Sequence, residues 1–99
     1  MARVIELEFF VDCPSTSMIA VRHKLDYMEK FAMELALYHH GSYNGNVTVE
    51  NGEIRATVEY KTETEAKNAV KKTLNSKYNH MKTVYPQLKG IRYTIRAVN

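Results

Sequence analysis

From Arg3 to Asp12 apolar and polar side chains alternate, with Ile5, Leu7, Phe9 and Val11 pointing one way and Val4, Glu6, Glu8 and Phe10 the other. A period of two carried by β-branched and aromatic residues predicts a strand buried on one face. Pro14 ends it, and Ser15, Thr16 and Ser17 are three candidate helix caps. Met18, Val21, Leu25, Met28, Ala32 and Leu35 then recur at spacings of three and four. They form the stripe of a helix that runs to about His40 and stops at Gly41 as a left-handed cap. At about 1.5 Å per residue such a helix spans roughly 36 Å, against about 27 Å for an eight-residue strand. It is expected to overhang the sheet, with its overhanging end near Phe31 to Tyr38.

After the turn-rich Gly41-Ser42-Tyr43-Asn44-Gly45, two alternating runs, Val47 to Glu50 and Ile54 to Tyr60, flank Asn51-Gly52. Asn-Gly between such runs predicts a type I′ hairpin, because both central residues must accept positive φ. Ile54, Ala56, Val58 and Tyr60 are its core-facing set. Thr62-Glu63-Thr64-Glu65 has the spacing of a capping box. The helix it opens is expected to bury Ala66, Ala69, Val70, Thr73, Leu74, Tyr78 and Met81 and to end before Pro86. Gly90 releases a last strand with Ile91, Tyr93, Ile95 and Ala97 inward and Arg92, Thr94 and Arg96 outward.

The order β-α-β-β-α-β with right-handed crossovers predicts an α+β, ferredoxin-like sandwich: a four-stranded antiparallel sheet of order 4-1-3-2 with two helices on one face. Ninety-nine residues without a repeat, linker or low-complexity stretch are read as one domain, 1–99. A chain with 44% hydrophobic and 25% charged residues can build a core, which argues against disorder. The single cysteine, Cys13, forms no intramolecular disulfide, and a reducing cytoplasm is the expected compartment. Glu6 and Glu8 interrupt the N-terminal apolar run, unlike a signal peptide, and no run approaches the roughly 18 residues of a membrane span.

Charge changes the picture more than composition does. All eleven acidic residues precede Ala66, so Met1–Glu65 carries a formal −5 and Ala66–Asn99 a formal +8. An anionic partner would use that asymmetry, whether nucleic acid or an acidic protein surface.

Catalytic and metal chemistry find little support in the spacing. Cys13 precedes a helix N-terminus, but the Arg that a phosphatase-type loop places five residues on is here Ile19. Asp12-Cys13-Pro14-Ser15 lacks the Gly-rich, Arg-bearing turn of acylphosphatases, which share this size and topology. His39 and His40 are adjacent, so on a helix they diverge by about 100° and do not share an ion easily. No enzyme activity, cofactor or metal is expected.

Ala56 to Asn75 is similar to the third strand and second helix of RNA-recognition-motif domains. Ala56, Val58 and Tyr60 match the buried positions of that family's RNP1 motif, and Phe10 falls where an RNP2 aromatic stacks on a base. The likeness covers about a fifth of the chain and implies shared architecture. Arg55 and Thr57 stand in place of the two RNP1 stacking rings, and Glu53-Ile54 in place of its Lys/Arg-Gly start, so most of the base-stacking platform is missing.

Two functional expectations follow. In the first, Lys67, Lys71, Lys72 and Lys82, assisted by Arg92 and Arg96, hold the phosphates of a nucleic acid. Set against it, Glu6 and Glu8 are placed to neutralise Arg92, Arg96 and Arg55 across the strands. In the second, the chain is a protein-binding regulator or inhibitor of a larger machine, with a homodimer as one form of it. Tyr27, Phe31 and Tyr38, on a line about 100° from the core stripe, would then form an aromatic interface. A third apolar line on the same helix is Ile19, Met33 and Leu37.

Overall fold

The computed structural model describes residues 4–14, 17–43, 45, 47–74 and 91–98, with backbone alone at 38, 73 and 74. β1 (Val4–Asp12), α1 (Met18–Tyr38), β2 (Val47–Glu50), β3 (Glu53–Tyr60), α2 (Glu63–Ala69) and β4 (Arg92–Val98) follow in the expected order. The antiparallel sheet has the order β2-β3-β1-β4, the predicted 4-1-3-2 read from its other edge. α1 packs mainly on β3 and touches β2, while α2 lies over β1, β3 and β4. α2 runs on into a π-helical turn, Val70–Leu74. Lys77, Lys82, Tyr78, Met81 and Pro86, and with them the predicted end of the second helix, lie outside the described residues.

The alternation in β1 and β3 is realised residue by residue. Ile5, Leu7, Phe9 and Val11 are buried, as are Ile54, Ala56, Val58 and Tyr60. The Asn51-Gly52 turn has both residues at positive φ, 52° and 75°, as the I′ geometry requires. Thr62 caps α2, its hydroxyl oxygen accepting from the Glu65 amide at 3.2 Å and its hydroxyl donating to the Glu65 carboxylate at 3.1 Å. Ser17 is the cap of α1.

α1 departs from expectation at both ends. Its buried arc is Met28, Phe31, Ala32 and Leu35, with Val21, Leu25 and Tyr27 packed at the margin. Phe31 was predicted beside the core and lies within it, fully buried, its ring edge-on to Phe9 at 5.2 Å. Met18, predicted to open the core stripe, is 80% exposed. The N-terminal turn of the helix is therefore exposed among the described residues, and its buried residues, Met28 to Leu35, lie in the part that packs on β3. Gly41 is not the left-handed cap either. That conformation falls to His40, with φ 60°, and the Gly41 amide donates to the Ala36 carbonyl at 2.9 Å, closing a Schellman turn. Gly41 is needed for space: a Cβ there would stand 2.6 Å from a ring carbon of Tyr60 and 2.9 Å from a methyl of Val58.

Candidate functional site

The open face of the sheet is set by strand register. Phe10 stands opposite Arg55 on β3 and Arg92 on β4, and Glu6 stands opposite Arg96. Both neighbouring guanidinium groups lean over the Phe10 ring, Arg92 at 4.5 Å and Arg55 at 5.6 Å from its centroid, within cation–π range. The ring that would match an RNP2 stacking aromatic is thus occupied by the protein's own cations.

Each arginine is also ion-paired. Arg96 donates through Nε and Nη2 to one oxygen of Glu6 at 3.1 and 3.0 Å. Arg92 reaches across β1 to Asp12 at 2.7 Å and Glu53 at 2.9 Å. Arg55 donates to the other Glu53 oxygen at 3.0 Å and lies 3.8 Å from Glu8. Glu53 so bridges two guanidiniums, and hydrogen bonding from Arg55, with its charge and that of Arg92, holds the Glu53 carboxyl below the usual range. The cross-strand neutralisation read from the sequence is present, with one addition: Arg92 meets Asp12 and Glu53 in place of Glu6 or Glu8. That pairing needs three strands in register and could be found only by laying out the sheet.

Arg92 and Arg96 are therefore already engaged by carboxylates. In the strands, the open face carries Glu6, Glu8, Asp12, Glu50, Glu53 and Glu59 against Arg55, Arg92 and Arg96, a formal −3. A phosphate backbone laid on this face would meet net repulsion.

The lysines belong to the other layer. Lys67 pairs with Glu63 at 3.0 Å, one helical turn back. Lys71 and Lys72 are exposed in the π-helical turn. Lys72 also reaches α1 electrically: burial first, then the Lys72 charge and His40, lower the pKa of His39. Because Lys67, Lys71 and Lys72 lie in the helix layer and the arginines on the opposite sheet face, these described residues do not form one footprint, while Lys82 lies outside the described residues.

Of the predicted aromatic interface, Phe31 is in the core and Tyr27 is half-buried against it, so neither belongs to an exposed patch, and the Tyr38 side chain lies outside what the structure describes. The apolar side chains at the surface of α1 are those of the third line, Ile19, Met33 and Leu37, with Met18. Met33 and Leu37 border an open groove of about 1040 Å³ between the C-terminal half of α1 and Gly41, Tyr43 and Gly45, along with Glu29, Lys30 and Glu34. Among the described residues no group of three or more His, Cys, Asp or Glu side chains is placed to hold a metal ion. Cys13 is buried, its amide donating to the Gly52 carbonyl at 2.7 Å. Among the described residues no helix is long and apolar enough to cross a membrane.

No family model matches the chain, and no curated protein matches its sequence. Among solved structures it is similar to a de novo designed protein, Foldit4, at 10% identity over 98% of this chain and 96% of that one, with a TM-score of 0.39.

Proposed function

We propose that this chain is a small non-enzymatic binding module for a protein partner, a regulator or inhibitor of a larger nucleic-acid-handling assembly, and that its open sheet face meets a basic surface there. The observation that carries this is the charge balance of the face, where, among the described residues, six carboxylates outnumber three arginines that are themselves ion-paired. A surface of this kind repels phosphate and attracts the lysine- and arginine-rich surfaces with which proteins hold nucleic acids. Its side chains are also ordered before contact, since Arg96 fixes Glu6 while Arg92 and Arg55 fix Glu53. The test is nuclease-treated affinity capture with the natural chain and with a Glu50→Lys/Glu59→Lys variant, which reverses two carboxylates outside the arginine pairs. A basic protein retained by the first and lost by the second supports the reading. Equal retention of the same protein by both overturns it.

A second reading rests on Lys71 and Lys72, which are exposed and have no ion pair to a described residue. Here a nucleic acid docks on the helix layer through Lys71, Lys72 and Lys67. Its affinity should fall steeply with salt, and Lys71→Gln/Lys72→Gln should reduce the log–log slope by roughly 1.5 to 2. Affinity that stays flat between 50 and 200 mM salt rules it out.

A further inference from the structure

α1 packs on β3 through the arc of Met28, Phe31, Ala32 and Leu35, which leaves the opposite side of the helix outward. Along that side Ile19, His23, Asp26, Lys30, Met33 and Leu37 recur at spacings of four and three, the pattern of a helix–helix seam. All six are exposed. The seam is apolar toward its two ends, where Ile19 is 72% and Leu37 75% exposed, and ionic at its centre. It is also its own inverse. Ile19 and Leu37, His23 and Met33, and Asp26 and Lys30 each lie at equal sequence distances on either side of Met28.

We propose that the partner of this face is a second copy of this chain, its α1 laid antiparallel on this one about a two-fold axis at the level of Met28. Each seam position then meets its inverse. Ile19 of either copy packs on Leu37 of the other, and Asp26 pairs with Lys30 at two symmetry-related places. The exposed N-terminal turn of one helix, with Met18 and Ile19, enters the open groove that Met33 and Leu37 border on the other. The two apolar ends of α1, uncovered among the described residues, thus cover one another.

The remaining charges of the face decide between a copy and a foreign partner. Arg22 and Glu29 share one flank of the seam, and Glu34 lies on the other. Inversion sets Arg22 of each copy toward Glu29 of the other. The two Glu29 side chains flank the axis, and each turns to the Arg22 across from it. Glu34 comes level with His23 of the other copy, whose imidazole can donate to it. With the histidines neutral, Arg22 and Lys30 stand against Asp26, Glu29 and Glu34, a formal −1 with the two signs interleaved along the helix. A partner of one sign is opposed at some of these positions wherever it is attracted at others. An inverted copy supplies a counterpart to every cation and every carboxylate of the face. The seam lies on the far side of the helix layer from the open sheet face, so the dimer stands or falls independently of the function proposed above.

One helix pair is a small interface, so the test extends to high concentration. It is sedimentation equilibrium of the full chain, from micromolar to several hundred micromolar, with Asp26→Lys and Lys30→Asp. Each variant alone opposes like charges at the centre of the seam, while an equal mixture of the two restores both opposite-charge pairs. The natural chain is expected to reach twice the monomer mass. Each variant alone should stay at monomer mass with unchanged circular dichroism, and the mixture should recover the dimer mass. Recovery on mixing requires copy-to-copy contact at these two positions, which a folding defect cannot imitate. If either charge variant unfolds, Leu37→Glu, which charges an apolar end, decides alone by losing the dimer mass. A natural chain that stays monomeric, a folded variant that dimerises alone as well as the natural chain does, or a mixture of folded variants that stays monomeric overturns the proposal.

Discussion

Tyr60, the last residue of β3, donates its buried hydroxyl to the Leu35 carbonyl at 3.1 Å. The same carbonyl also accepts the His39 amide at 3.3 Å, so one oxygen ties the end of the central hairpin to the C-terminal turn of α1. Burial, and then the charge of Glu65, push the Tyr60 phenol well above its usual value, which keeps it a donor at any ordinary pH. Tyr60→Phe should cost about 1 kcal/mol, the ordinary net worth of such a bond, because the acceptor keeps its second partner. Urea denaturation reads this as a lower midpoint at unchanged slope.

Tyr43 is the contrasting tyrosine. Its hydroxyl is out of contact with solvent and has no hydrogen-bond partner among the described residues. Tyr43→Phe should therefore be neutral or should stabilise, by up to about 1 kcal/mol, since the desolvated polar atom is removed and no bond is lost. A loss as large as that of Tyr60→Phe in the same titration would contradict this.

His40 and Gly41 have exchanged the roles their residue types suggest. His40→Gly relieves a left-handed side-chain residue and should raise stability by about 0.5 to 1 kcal/mol. Gly41→Ala should lower the thermal midpoint, because the added carbon meets the Tyr60 ring and the Val58 methyl. Opposite shifts from neighbouring positions would be seen in one pair of melts.

Phe31→Ala should behave as a core truncation, costing about 3 to 5 kcal/mol, and its unfolding should be monitored before any binding loss is interpreted.

His39 gives the fold a pH dependence. Its folded pKa lies below the usual 6.5 because burial and the nearby Lys72 disfavour the cation. The unfolded chain therefore takes up the proton first as pH falls. Stability from this group is complete above about pH 6.5, declines as pH drops toward the lowered folded value, and levels off below it. His39→Gln should flatten that part of the profile, and Lys72→Gln should narrow it. A urea midpoint in the natural chain that rises between pH 7 and 5.5, and falls there in His39→Gln, would reverse the assignment.

The strands, the I′ turn, the capping box and the sheet order were legible because each rests on local periodicity or on connection rules. The core arc of α1 was not. Phe31 lies one position from Ala32, and the width of a buried arc depends on how deeply the helix sits against β3, which periodicity does not encode. The Glu6–Arg96 pair could be foreseen from strand order. The Asp12–Arg92–Glu53–Arg55 chain could not, because it spans three strands and depends on the register of each.

The formal −3 of the open sheet face, set against Lys67, Lys71 and Lys72 in the helix layer, has a consequence for encounter. Such a body is electrically polarised across its thickness, and a charged partner turns it before touching it. At physiological salt that torque reaches only about 8 Å. Dilution of salt should therefore speed association by improving the approach angle, while leaving the rate of departure almost unchanged.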